Sequence, residues 1–340
     1  MKRLSTYFAL GATAWLFCCG NHDPHAEREE RAHQALRDAS ASTRTDVVAV
    51  LSRVNGTDAW CTGVVLEPTL VLTAQHCVAA AAPPNTTFDC ATATLTPVSP
   101  QSQVWVTQDA SVTEMNSPFV SVSSVRLPAG ASRLCGDDIA LLELSEPLAD
   151  ATFAGLTVDV PPAHSGFTSV GYGTDGTLSG VQRENSASAI TCIGSDCADS
   201  RIAESELLAT SGACEGDSGG PAFASEGSVF AIAVRSRADC EQTAYLGLAQ
   251  HGAWLAQNAA DVAKQKDIAV PTWAVTILAS LEQHPMDAAD ASVTPLQPER
   301  VLLAYGGGCS VPTRAPQSNL ATTLVFAVCL LITLRRIKPR

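Results

Sequence analysis

From Asp46 onward the chain alternates short runs of β-branched and other apolar residues with Gly, Pro, Asn and Asp. Residues 47–51, 61–66, 70–74, 104–107, 138–144, 168–172 and 229–234 are such runs, each with the length and composition of a strand. Leu66-Glu67-Pro68-Thr69-Leu70 joins two of them through a tight turn. Many short strands with turn signals between them predict a sandwich or barrel, not a parallel sheet of βαβ units. Helical periodicity comes only late, over 250–264, where Trp254, Leu255 and Val262 are apolar. The Pro-, Ala- and Asp-bearing stretch 265–308 reads as a stalk with a short helix around 273–281. Residues 20–44 are charged and Ala/Ser-rich without apolar periodicity, a tail or pro-segment. Its His22, His25 and His33 belong to a solvated face, since no cysteine or structured scaffold accompanies them.

Both ends carry an apolar run. Residues 7–17 follow Lys2-Arg3 and end at Cys18-Cys19-Gly20, the layout of a secretory signal peptide over 1–19. Leu16-Phe17-Cys18-Cys19 also resembles a bacterial lipoprotein cleavage site, with Cys19 as the lipidated residue. Residues 320–334 are uncharged and are followed by Arg335-Arg336 and a basic tail, so a transmembrane segment is expected with that tail on the cytoplasmic side. Just upstream stands Gly306-Gly307-Gly308-Cys309. Motif, spacer, apolar helix and Arg-rich tail together resemble the myxobacterial C-terminal sorting signal, over 309–340. That resemblance implies export, processing near Cys309 by a sorting protease and retention at the cell surface or outer membrane; a plain tail anchor is the alternative.

The chain has 340 residues, of which 46% are hydrophobic, enough to bury a core and to exclude wholesale disorder. Its 21 basic and 34 acidic residues leave a net charge of −13. No basic stripe offsets that balance, so nucleic acid is excluded as a partner. Twelve cysteines suit an oxidising compartment.

Three segments carry chemistry: Leu72-Thr73-Ala74-Gln75-His76-Cys77, Asp137-Asp138-Ile139-Ala140-Leu141-Leu142, and Cys214-Glu215-Gly216-Asp217-Ser218-Gly219-Gly220-Pro221. A serine hydroxyl attacks a carbonyl at neutral pH only if a base takes its proton. His76 is the candidate base, because an imidazole titrates near neutrality and can return the proton to a leaving amine. Asp138 would hold the other ring nitrogen and stabilise the imidazolium. The glycines around Ser218 let the loop turn tightly, so that the amides of Gly216 and Ser218 can converge on an oxyanion.

In that order, the three segments resemble the signatures of the chymotrypsin/trypsin-like serine peptidases, over about 200 residues. The resemblance implies an all-β fold of two six-stranded antiparallel barrels with a C-terminal helix, occupying residues 45–264. It implies an endopeptidase acting on protein or peptide substrates through His76, Asp138 and Ser218, without cofactor or metal. The register of the Asp-Ile-Ala-Leu motif selects Asp138 over Asp137. Cys61–Cys77 matches the family's bridge behind the base, and Cys214–Cys240 would clamp the loop beneath the nucleophile. Cys90–Cys135 and Cys192–Cys197 are expected by pairing what remains, though sequence leaves the connectivity open. Zinc ligation ranks below disulfides, since no Cys-x-x-Cys pair occurs.

Two departures qualify the resemblance. The family's Ile-Val-Gly-Gly terminus, which pairs with the acid before the nucleophile, is missing between residues 30 and 50, although Asp217 is present to receive it. Either cleavage follows Arg37 or Arg44, or the loop is ordered without a new terminus; a non-catalytic or permanently zymogen-like member is the alternative. The primary pocket has Gly212 and Ala213 where an acid would select Lys or Arg. Its opposite wall reads Ser236-Arg237-Ala238, with Thr243 near the floor. Small or medium apolar side chains are expected there, unless Arg235 and Arg237 attract an acidic residue instead.

Overall fold

The computed structural model describes residues 36, 39–79, 89–112, 117–173, 180–283 and 299–304. After a two-residue strand β1 (Ser40–Ala41) come β2 (Val47–Val54), β3 (Thr57–Glu67), β4 (Leu70–Thr73), β5 (Gln103–Thr107), β6 (Val120–Leu127) and β7 (Ala140–Leu144). These six pair antiparallel in the order β6-β5-β2-β3-β4-β7, and β6 returns to β7. The next six are β8 (Gly166–Gly171), β9 (Arg183–Ile193), β10 (Glu206–Thr210), β11 (Pro221–Phe223), β12 (Val229–Ser236) and β13 (Thr243–Gly247). They run β9-β10-β13-β12-β11-β8, with β8 closing on β9. The result is two closed six-stranded antiparallel barrels, as the resemblance implies; closure removes the unpaired edges that an open sheet would expose.

Local chemistry sets the register. Asn55 and Gly56 adopt φ of 52° and 81° between β2 and β3, the left-handed pair of a two-residue hairpin, and Val47 then faces Val64. Helix α1 (Gly252–Lys266) buries Leu255, Ala259 and Val262 in the first and larger core, which joins the first barrel to second-barrel residues such as Val229 and Leu246. It stops at Asp267, whose left-handed backbone returns its N–H to the Ala263 carbonyl. The second barrel has its own core, in which Phe167 meets Phe230 and Tyr245 edge to face at 5.6 and 5.4 Å.

Parts of the expected stalk and pro-segment belong to this body. Helix α2 (Thr272–Gln283) buries Ala274 and Ile277 in the first core. Strand β14 (Glu299–Leu302) pairs with β6 and brings Arg300 to Glu143 at 2.8 Å, beside Arg126 at 2.9 Å. Burial works against the Glu143 carboxylate, yet the Arg126 hydrogen bonds and both arginine charges hold it below the usual range. At the other end β1 pairs with β9, and the Arg44 amide donates to Gln182 Oε1 at 2.7 Å. Arg44, one of the two suggested cleavage positions, is therefore tied into the second barrel. Arg37, Cys19, Cys309 and both terminal apolar runs lie outside the described residues. Among those described, no helix is long and apolar enough to cross a membrane.

Glu67, the last residue of β3, is buried, and neither carboxylate oxygen finds a hydrogen-bond partner among the described residues. Burial pushes it up to about 8, against the pull of the Arg126 charge.

Candidate active site

His76 sits on a single 3-10 turn, Gln75–Cys77, directly after β4. Cys77 ties that turn to β3 through Cys61. The ring's Nδ1 donates to Asp138 Oδ2 at 2.6 Å, while the His76 amide donates to Asp138 Oδ1 at 2.9 Å. One fully buried carboxylate thus holds both the backbone and the imidazole of a half-buried residue. Burial alone would push the ring down, but the charge and hydrogen bond of Asp138 outweigh it. The imidazole titrates above its ordinary value, with the Arg235 guanidinium taking back part of the gain. Asp137 turns away and pairs with Arg133 at 2.9 Å.

The loop 214–220 brings Ser218 to the same place. Thr62, on β3, donates its amide to the Ser218 carbonyl at 2.8 Å and its hydroxyl to the Gly216 carbonyl at 2.9 Å. The Cys77 sulfur lies 3.6 Å from the Ser218 carbonyl oxygen and 4.0 Å from His76 Nε2. The first barrel therefore carries the imidazole and the second the serine, with a cystine wedged between them. Gly219 has no alternative residue. Its φ is +80°, and a Cβ would stand 2.2 Å from Thr73 Oγ1 and 2.3 Å from the Thr62 carbonyl. Among the described residues four disulfides form, Cys61–Cys77, Cys90–Cys135, Cys192–Cys197 and Cys214–Cys240.

The Trypsin family model matches residues 37–257, both barrels and the first turns of α1. The chain belongs to the trypsin family. It is a serine peptidase domain in the general sense of that family, whose substrates are proteins or peptides. Among solved structures, Rv3671c from M. tuberculosis H37Rv, in an inactive mutant form, is similar at 17% identity. The match has a TM-score of 0.42 and covers 63% of this chain and 88% of that one. No curated protein matches the sequence.

In this trypsin-family domain Asp217 is buried. Its Oδ1 accepts from the Gly173 amide at 2.8 Å and its Oδ2 from the Cys214 amide at 3.0 Å. A Cβ on Gly171 or Gly173 would fall 2.1 or 2.5 Å from the carboxylate, so the two glycines form its cradle. Burial pushes Asp217 up to about 6, against those two amide bonds and the Arg183 charge. Asp217 and Glu67 thus hold their protons more tightly folded than unfolded. Stability from both is full below the unfolded carboxylate range and is lost as pH rises, to about 6 for Asp217 and to about 8 for Glu67. The urea midpoint is expected to fall between pH 4 and pH 8, and Glu67→Gln to flatten the upper half of that fall. A midpoint rising over the interval would contradict these environments.

The sequence-expected pocket residues separate. Ala213, Ser236 and Thr243 line a cavity of about 10 Å³ beside Ser218, together with Cys214, Ala233, Val234 and Arg235. Gly212, with φ of +70°, is not on its lining, and Arg237 and Ala238 face a neighbouring cavity. The reason is register. Gly219 donates to the Ala233 carbonyl at 2.7 Å, and Ala233 donates to the Gly220 carbonyl at 2.8 Å. This ladder brings Val234, Arg235 and Ser236 past the serine, two residues upstream of the expected wall. Sequence reading named Arg235 only as a charge that could attract an acidic residue and did not place Val234 at the pocket, because the ladder joins segments that carry no local mark of each other.

Behind the wall lies a buried ion pair. Arg235 sends both terminal nitrogens to Glu206, at 2.8 and 2.5 Å. Glu206 also accepts the amides of Gly136 and Ala203, each at 2.9 Å. Gly136, two residues before Asp138, receives a further bond on its carbonyl from His251 Nε2 at 3.0 Å.

Proposed function

We propose that this protein is a serine endopeptidase in which Ser218 attacks the scissile carbonyl. His76 takes the hydroxyl proton through Nε2 and returns it to the leaving amine. Asp138 fixes the Nδ1–H tautomer and stabilises the imidazolium. The amides of Gly216 and Ser218 take the oxyanion, and water then releases the acyl-enzyme. The observation that carries this reading is the 2.6 Å bond from His76 Nδ1 to a fully buried Asp138, with Nε2 turned to the serine loop. A fluorophosphonate probe is expected to form an adduct that peptide mapping places on Ser218. Folded, processed protein that takes up no probe would remove the reading.

The cavity beside Ser218 supports a preference for a small residue at the cut. About 10 Å³ is the space one water molecule occupies by the same measure, enough for a methyl group and far too little for a guanidinium or phenyl ring. Thr243 is part of its lining, its hydroxyl bonded to the Ala213 carbonyl at 3.0 Å. Cleavage after alanine or another small residue is expected, and Thr243→Gly is expected to raise kcat/KM for leucine at the cut by roughly tenfold or more. A wild-type preference for arginine would contradict this.

Asp217 supports activation by a cation. A buried carboxylate pushed up to about 6 would be relieved by an ammonium delivered to its cradle, the role a newly cut N-terminus plays in the family. The four disulfides and the apolar terminal runs support export, with retention at the cell surface through the segment after Cys309.

A further inference from the structure

A cavity of about 580 Å³ opens beside the small one and shares Arg235 and Ser236 with it. Leu134, Ile202 and Leu208 supply apolar wall, while Arg201, Arg235, Arg237 and Asp199 supply charge. The three guanidiniums are not equally matched. Arg235 is held by Glu206 beneath the wall. Arg201 and Arg237 are both half-exposed and share the single carboxylate of Asp199, at 2.7 and 3.2 Å. The cavity therefore keeps one positive charge in excess, on a chain whose net charge is −13.

That contrast makes the excess selective. Repulsion from distant acidic groups is screened beyond about 8 Å at physiological salt, whereas a carboxylate in contact with a guanidinium feels the local charge almost undiminished. A guanidinium also offers a planar pair of donors matched to a carboxylate, which a lysine would not. Arg237 is the natural partner, because its bond to Asp199 is the longer one and Arg201 already satisfies that carboxylate through Nε at 2.8 Å and Nη2.

We propose that this cavity binds an aspartate or glutamate side chain of the peptide substrate, so that the enzyme selects an acidic residue near the cut as well as a small one at it. The inference rests on the peptidase reading of Ser218. A peptide extended along β12 turns alternate side chains to the same side, about 6.8 Å apart, which puts the acidic residue about two positions from the one in the small cavity.

The test uses the full chain with Ser218→Ala, so that binding is read without turnover. Fluorescent peptides with alanine at the cut carry glutamate or glutamine at each of the three positions on either side. At one of those positions the glutamate peptide is expected to bind at least about tenfold tighter at low salt, with the gap narrowing as salt rises. Arg201→Glu combined with Arg237→Glu is expected to abolish or invert the gap; Arg237→Gln alone should shrink it if the double variant melts early. Equal binding of the glutamate and glutamine peptides at every position would overturn the proposal, as would a preference that survives the charge reversal. Fluorophosphonate labelling of the wild-type chain separates the two readings. Labelling without acidic preference removes this inference alone, whereas no labelling removes the peptidase reading beneath it.

Discussion

Ser218→Ala is expected to lower kcat on a small-residue peptide by about a million-fold, while the affinity for that peptide changes little. The hydroxyl is the atom that bonds to the carbonyl, so no neighbouring side chain can substitute for it. Asp138→Asn is the more informative companion. An amide at 138 would offer the His76 ring a donor where it now meets a carboxylate at 2.6 Å. The imidazole would turn to the wrong tautomer, and kcat is expected to fall by about ten-thousand-fold. The same change removes the charge that lifts His76 above its ordinary value, so the acidic limb of the residual pH–rate profile should move to lower pH. Steady-state kinetics with the two variants checks both. Near-normal turnover in either would dismiss these residues from the mechanism.

Glu206→Ala should give the largest loss of stability of any single change here, about 3–5 kcal/mol. The side chain is fully buried and accepts four hydrogen bonds, two from Arg235 and one each from the Gly136 and Ala203 amides. Truncation would leave a buried guanidinium and two amides facing a hole, and a buried charge without its partner costs far more than the intact pair contributes. For a domain of this size the melting temperature should drop by roughly 6–20 °C. Because Gly136 lies two residues before Asp138, the surviving folded enzyme should also lose turnover more than substrate affinity. A melt within about 2 °C of wild type would show that water enters and solvates Arg235, and that the pair holds nothing in place.

Different parts of the molecule were legible to different degrees. The hairpin of β2 and β3, the turn at Pro68 and the late helix α1 all follow from local chemistry: apolar alternation, turn residues and helical period. Strand β9 was not foreseen. Its sequence, Arg-Glu-Asn-Ser-Ala-Ser-Ala-Ile-Thr-Cys-Ile, is too polar to stand out, and it is a strand because β8 and β10 pair with it on either side. Strand β13 contains alanine and glycine and owes its place to β10 and β12. The short strand β14 lies in a stretch that reads as a stalk and gains its order from β6 and from the contact of Arg300 with Glu143.

By itself, the order of residues along this chain determined which side chains can do chemistry and how their immediate turns bend. His76, Asp138 and Ser218 each sit in a short segment whose neighbours constrain it locally, and those constraints act over a few bonds. What tertiary structure alone decided is distance and register: that one cystine sulfur stands between the imidazole and the serine loop, and that Ala233 pairs with Gly220 so that Arg235 and Ser236 form the pocket wall. It also decided that Glu206 reaches across 70 residues to the loop bearing Asp138. Some of these contacts form when the second barrel closes and others when the two barrels pack together, because hydrogen-bond ladders and buried ion pairs join segments whose sequences hold no trace of one another.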